Sequence, residues 1–316
     1  MQILTNTFPC ISIVTPSFNQ GHFLEETILS VLNQSYPNLE YFVMDGGSTD
    51  NSIEIIKKYA SQITYWESRK DRGQSHAINK GFKMATGDLV AWLNSDDLLC
   101  PSALTEVANI WLQDQSVGFI HGITELIDES GNSKNDTRGS RFDFLESLTT
   151  SRNPVAQPST FISYDCLKNV GFVDETLHMS MDWDLWLRIG VKYKTTFIPV
   201  VLSRTRYWEL TKTNTRLLDS GLDHVAIARK FVFDKDSSLS KVDKRKALAS
   251  AYGKQAYLEH QFHNRFNSKV ALVKSLLYYQ KDKGGDARNI RKNVFPVYFA
   301  VDQKLKNLRQ RIKSTR

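Results

Sequence analysis

The sequence predicts an α/β protein, in which a mainly parallel sheet built from βαβ units is followed by a C-terminal helical appendage. Three observations lead there. Between residues 10 and 121, short β-branched or aromatic runs alternate with amphipathic segments, the pattern of βαβ units around a mainly parallel sheet. Each apolar run stops at a polar loop. From about Asp219 onward the pattern is largely helical, and basic residues dominate from Lys281 to Arg316.

Five strands are expected, at Ile11 to Thr15, Glu40 to Met44, Ile63 to Glu67, Leu89 to Leu93 and Val117 to His121. Between the first two, Leu24, Ile28, Val31 and Leu32 share one helical face. Further helices are expected over Ile53 to Ala60, Gln74 to Ala85 and Ser102 to Leu112, with Pro101 suited to the first turn of the last. Right-handed crossovers bring the carboxyl ends of parallel strands to one edge, where open α/β sheets bind ligands. The loops Pro16 to Gly21, Asp45 to Asp50, Ser68 to Gly73 and Asn94 to Asp97 therefore face that edge. Beyond Gly122 the alternation weakens, Asp128 to Ser140 reads as a loop or hairpin, and residues 141 to 210 look mixed.

The chain has 316 residues, 41% of them hydrophobic. No run approaches the roughly 18 to 20 apolar residues of a spanning helix, so none is expected. Met1 to Pro9 lacks the basic stretch and apolar run of a secretion signal. Cys10, Cys100 and Cys166 are far apart and odd in number, which argues against a disulfide framework or zinc site and suits a reducing cytoplasm. The net charge of +7 suggests an anionic partner without separating nucleic acid, phospholipid and phosphorylated substrate.

The strand at Leu89 delivers Asn94-Ser95-Asp96-Asp97 to the sheet edge, where adjacent carboxylates repel unless a cation or hydrogen bonds compensate them. Magnesium or manganese suits such a place, because either takes oxygen ligands and needs only one or two protein carboxylates beside phosphates and water. A turn capping the next helix explains the same residues. In Asp45-Gly46-Gly47-Ser48-Thr49-Asp50 the glycines permit close backbone approach, and Asp45 is placed to accept hydrogen bonds from a base or ribose. A Gly-Gly turn with a helix cap is the plainer account. Neither segment is a Walker loop, and Pro16-Ser17-Phe18-Asn19-Gln20-Gly21 is no Gly-x-Gly-x-x-Gly, so dinucleotide redox chemistry is disfavoured.

Taken in order, Ile13 to Asn19, Met44 to Asp50, Asp71 to Gly81 and Gly87 to Asp97 resemble successive motifs of the family 2 glycosyltransferases. The similarity continues through Gln157-Pro158, Gly171 to Asp174 and Met181 to Arg188, covering roughly residues 10 to 215. It implies a GT-A-like, Rossmann-related fold that binds a nucleoside diphosphate sugar, a UDP-sugar being favoured, and transfers the sugar with inversion to a glycan or lipid-linked glycan acceptor. On this resemblance residues 1–218 form the catalytic domain, its donor half about 10–121 and its acceptor half about 122–218, and residues 219–316 the basic helical region.

Residue by residue, the resemblance implies donor contacts at Pro16, Phe18, Asp45, Asp71, Arg72, Asn94, Ser95 and Asp96. Asp96 would also hold the Mn2+ or Mg2+. Asp182 matches the general base, and Gln157, Trp183 and Asp184 lie on the acceptor side, where Trp183 or Trp186 could stack on a sugar. An amphipathic helix burying Trp183, Trp186 and Leu187, with Asp182 favouring the dipole, accounts for the same segment. The chain departs from the family at two places. Asn94 stands where many relatives carry the first Asp of the metal motif, and Trp208 where they often place a histidine. A non-catalytic nucleotide-sugar or glycan binder is therefore the alternative. His76, His121, His178 and His224 show no ligand spacing and read as solvated or satisfied structural histidines.

In the tail, basic residues flank the apolar Val294 to Val301, which suits an anionic membrane surface and a peripheral place at the inner face of the membrane. Packing of that segment on the first domain is the other reading. Nucleic acid is not expected, because the tail lacks interleaved stacking aromatics.

Overall fold

Strand β1 (Ile11–Ser17) is buried along its whole length, as a strand covered on both faces of a parallel sheet must be. It pairs in parallel with β2 (Leu39–Asp45) on one side and β4 (Leu89–Trp92) on the other, and β3 (Tyr65–Ser68) extends the sheet beyond β2. This computed structural model describes residues 8–208, 211–212, 216–262 and 264–279. The apolar tail segment Val294 to Val301 and its basic flanks lie outside the described residues.

Helix α1 (Gly21–Leu32) buries Phe23, Leu24, Thr27, Ile28 and Val31, whereas Leu32, expected on the same face, is only partly buried. Helices α2 (Ser52–Lys58) and α3 (Gln74–Met84) follow β2 and β3. A Cβ on Gly81 would stand 2.5 Å from a Val14 methyl, so α3 lies against β1 at a distance only glycine permits. Helix α4 is Ala103–Gln113. Pro101 precedes it rather than occupying its first turn. The reason is local: β5 (Leu98–Leu99) pairs with a later strand, and Ser102 turns the chain at φ 64° before the helix starts.

The fifth expected strand is longer and differently placed than its sequence suggests. As β6 (Phe119–Ile127) it is separated from β4 by β8 (Thr160–Ser163), which is antiparallel to both. Four residues, Thr-Phe-Ile-Ser, are too few to show a period. The sheet is accordingly mixed, in the order β3-β2-β1-β4-β8-β6-β9-β5, with β9 spanning Thr195–Arg206. Strand β7 (Ser133–Arg138) folds back on β6 as a hairpin, as the polar segment from Asp128 anticipates.

Helices α5 (Phe144–Thr150), α6 (Tyr164–Val170) and α7 (Met181–Gly190) complete this part of the chain. Under α7, Trp186 stacks on Trp92 with centroids 5.6 Å apart and touches Phe119, and Phe82 meets Trp92 edge-on. Full burial of such a side chain contributes about 1.5 to 3 kcal/mol.

The chain divides into two compact units. One comprises residues 1–144, 153–177 and 181–211, the other 145–152, 178–180 and 212–316. In the second, α9 (Lys241–Gln261) packs against both α8 (Leu217–Phe233) and α10 (Arg265–Tyr279), and Asp223 accepts the backbone N–H groups of His178, Met179 and Ser180. No described helix is long and apolar enough to cross a membrane.

Candidate active site

The parallel pairing of β1 to β4 brings their following loops to one edge, and hydrogen bonds then lock each loop. Asn19, in the left-handed region at φ 51°, receives the Thr49 N–H on its Oδ1 at 2.8 Å and donates its own N–H to Ser48 Oγ. The loop after β2 closes on Asp45. Its carboxylate accepts the N–H groups of Gly47 and Ser48 at 3.1 and 2.9 Å and the hydroxyls of Ser48 and Ser68. Asp45 is consequently buried, and its oxygens organise the loop from within. At the loop surface, a Cβ on Gly46 would meet Asp71 Oδ2 at 3.0 Å and the Phe18 ring at 3.3 Å. Phe18, Gly46 and Asp71 thus form one small ledge, with the Phe18 ring 61% exposed. Pro16 is buried inside β1. Arg72 is exposed and pairs with Glu175 at 2.7 Å, whose other oxygen accepts from Asn79.

The Asn94 to Asp97 loop is held by residues distant in sequence. Thr27, the polar member of the buried α1 face, donates its hydroxyl to the carbonyls of Ser95 and Asp97, both at 2.9 Å. Asn94 donates to Asp97 Oδ2 at 3.0 Å and Gln157 Oε1 at 3.1 Å, and accepts from Gln74 at 2.7 Å. Gln157 in turn donates to the Trp92 carbonyl. In place of a carboxylate, position 94 supplies a neutral amide at the centre of this network. Asp97 also accepts from Thr205, and burial together with the neighbouring charge of Asp96 raises its carboxyl well above the ordinary carboxylate range.

Asp96 is half-buried and sits among Trp208, Arg206 and His22. Burial pushes its carboxyl up, and the neighbouring Trp208 indole and the charges of Arg206 and His22 offset only part of that. Arg206 is almost wholly buried. Its guanidinium donates to the Asp96 carbonyl, the Glu129 carbonyl and Glu26 Oε2, and lies 4.4 Å from the Phe23 ring centroid. Trp208 meets the His22 and Phe23 rings edge-on. Among the described residues no three His, Cys, Asp or Glu side chains converge as a metal cage. The donor set fits a cation resting on Asp96 and completed by diphosphate and water, which Mg2+ and Mn2+ tolerate, and not one enclosed by protein ligands.

Asp182 opens α7, half-buried, and accepts the Asn153 amide at 2.9 Å. The start of α7 is tied to the other loops through α3, where Ser75 meets Met181 and its neighbour Gln74 meets Asn94. Trp183 and Asp184 point inward. Asp184 is fully buried and bonded to Arg188 Nε at 2.7 Å, while the rest of that guanidinium holds the carbonyls of Val170, Gly171 and Phe172. Trp183 and Trp186 are both core side chains.

The structure therefore gathers Phe18, Asp45 and Asp71 at one group of loops and Asn94, Ser95, Asp96 and Gln157 at the next. Sequence reasoning passed over Gln74, Asn153, Thr27 and Arg206. Thr27 alone had a signal, as a hydroxyl on an apolar helix face. His121 is buried between Phe119 and Phe197, and neither ring nitrogen has a hydrogen-bond partner among the described residues; burial lowers its pKa to about 4.

Residues 12–168 match the family model for glycosyl transferase family 2. An uncharacterized glycosyltransferase of Rickettsia typhi is 31% identical over 219 residues, 67% of this chain and 69% of that one. One from Haemophilus influenzae is 37% identical over 144 residues, 44% of this chain and 57% of the other. A longer one from Rickettsia felis is 29% identical over 207 residues, which are 63% of this chain but 34% of its own, so the match spans about a third of that protein. Two solved structures share the fold. Staphylococcus aureus TarS 1–349 in complex with UDP-GlcNAc has a TM-score of 0.64 at 16% identity, with 84% of this chain and 79% of that one covered. The mannosyltransferase PcManGT of Pyrobaculum calidifontis, in complex with GDP-Man and Mn2+, has 0.60 at 17%, with 93% and 81% covered.

Proposed function

Since the chain belongs to glycosyl transferase family 2, we propose that it moves a hexosyl group from a nucleoside diphosphate sugar to a glycan or lipid-linked glycan acceptor, with inversion. The observation that carries this reading is the tie between the helix that begins with Met181 and Asp182 and the loop that carries Asp96. The Asp182 helix and the Asn94 to Asp97 loop are joined through Ser75 and Gln74 of α3.

In this reading the nucleoside lies on the ledge of Phe18, Gly46 and Asp71, over the loop that Asp45 shapes, with Arg72 at its rim. A UDP-sugar is favoured, in line with the TarS complex. The diphosphate lies toward Asn94, Ser95 and Asp96. A divalent cation bound at Asp96 supplies charge neutralisation for the departing diphosphate. Asp182 removes the acceptor hydroxyl proton, the oxygen attacks the anomeric carbon, and the bond to the diphosphate oxygen breaks on the opposite face. Gln157 fixes Asn94 from the acceptor side. Trp183 and Asp184 serve by holding α7 in place.

Thermal melts with UDP- and GDP-sugars, with and without Mn2+, test the reading. Tm should rise with the ratio of donor concentration to dissociation constant and rise further with the metal. No shift with any donor would end the proposal. Asn94 and the place of Trp208 beside Asp96 favour a second reading, a binder that turns nothing over. Donor binding without hydrolysis or transfer in the presence of Mn2+ would select it.

A further inference from the structure

Helix α10 presents two opposite faces. Ser268, Ala271 and Ser275 are buried, and the two serine hydroxyls donate to the Ala256 and Ala249 carbonyls of α9 at 3.0 and 2.8 Å. On the other side Phe266, Val270, Val273 and Leu277 follow at i, i+4, i+7 and i+11, one stripe along the helix. They are 77%, 39%, 55% and 61% exposed. Lys269 borders this stripe on one side and Lys274 on the other, both exposed. The helix contains no acidic residue.

We infer that this face of α10 docks on an anionic lipid surface. A stripe with steps of four, three and four residues also matches the a and d positions of a coiled coil, so a second copy of the chain is the rival occupant. The lysines decide between them. In that register Lys269 and Lys274 fall at the g and e positions, so a parallel pair sets Lys269 against Lys274 and an antiparallel pair sets like against like. On a membrane the same lysines reach outward to headgroup phosphates while the apolar stripe enters the acyl boundary, the arrangement of an interfacial helix. Lys274 Nζ already lies 5.4 Å from the Tyr252 ring centroid of α9, at the margin of the stripe. This surface does not depend on the transfer reading and is measured without donor.

The test is sedimentation of the full chain with phosphatidylcholine vesicles, with or without phosphatidylglycerol, at low salt. The parent should pellet with the anionic vesicles and remain in solution with the neutral ones. Val273→Glu with Leu277→Glu should lower its partition about tenfold or more, because two charges replace apolar side chains at the acyl boundary. Lys269→Gln with Lys274→Gln leaves the stripe intact and should lower the preference for anionic lipid, which keeps the test decisive if the first variant fails to fold. A parent that does not pellet, or pellets equally with neutral vesicles, overturns the inference. So does a folded Val273/Leu277 variant that binds as the parent does while Val297→Glu with Phe299→Glu in the tail abolishes binding. A parent dimer that Val273→Glu with Leu277→Glu dissolves, without vesicle binding, assigns the face to a second copy instead.

Discussion

The loops after β1 and β2 and the loop after β4 occupy the same sheet edge but are built differently. The first two are sewn together by neighbours. Asn19 meets Ser48 and Thr49 about one βαβ unit away, and Asp45 is bonded chiefly by the loop it begins. The Asn94 to Asp97 loop is held by Thr27, Gln157, Thr205 and Arg206, at separations of 63 to 110 residues. A locally sewn loop offers a ready shape to a ligand, whereas a loop assembled from distant segments exists only when the whole sheet has formed. If that contrast matters to function, the first group supports recognition and the second supports chemistry.

The largest effect should fall on the chemical side. Asp182→Asn should lower kcat by about 10²- to 10⁴-fold and leave the donor dissociation constant within a few-fold, as loss of a general base does. Single-turnover rates beside donor titrations measure both. Transfer at the parent rate would make Asp182 a structural helix-start residue and break the contrast at its strongest point. Next comes Asp96→Ala, expected to lower Mn2+-supported turnover by about 10²- to 10³-fold through lost electrostatic stabilisation. Unchanged turnover would remove Asp96 from the mechanism.

On the recognition side, Asp45→Ala should weaken donor binding by about tenfold, since the bonds it loses each contribute on the order of 1 kcal/mol to holding the loop. Its kcat at saturating donor should change far less. An equal fall in kcat with intact affinity would erase the distinction between the two groups.

The smallest effect concerns pH and separates the groups by sign. Burial works against Asp50, but donors from Ser52 and Gly21 hold its carboxyl below the ordinary value; this contribution is present above the unfolded pKa and lost as pH falls through the folded one. Asp97 runs the other way. Burial and Asp96 raise its carboxyl, so its contribution is present below the unfolded pKa and lost as pH rises through the folded one. Asp97→Asn, whose Thr205 partner can turn to accept, should therefore gain roughly 2 to 4 °C in Tm at pH 8 and lose that gain toward pH 4. Equal melting curves for parent and variant across this range would deny the burial effect.

The same division decides what could be read from the chain. Strands β1, β2 and β4 and the loops behind them were legible because each is a contiguous run ending in a contiguous polar segment. Asp45, Phe18 and Asp71 belong to such segments. Strand β8 was not, since four residues carry no period and its place between β4 and β6 is set by pairing alone. Arg206 was not either. Its partners Glu26 and Glu129 lie 180 and 77 residues away, and nothing near position 206 announces them. Asp184 misled for the opposite reason, because a carboxylate two residues after Asp182 reads as part of a site while its Arg188 partner, one turn on, takes it into the interior.

The stacked pair Trp92 and Trp186 joins the strand that ends at Trp92, two residues before Asn94, to the helix that begins with Met181 and Asp182. Their planes differ by 16°. Two indoles so arranged couple their electronic transitions, so the near-ultraviolet dichroism of the folded chain carries a built-in optical gauge of whether helix and strand are docked. The proposed base and the proposed cation loop are thereby fastened to one strut, and any event that lifts the helix would dim that signal.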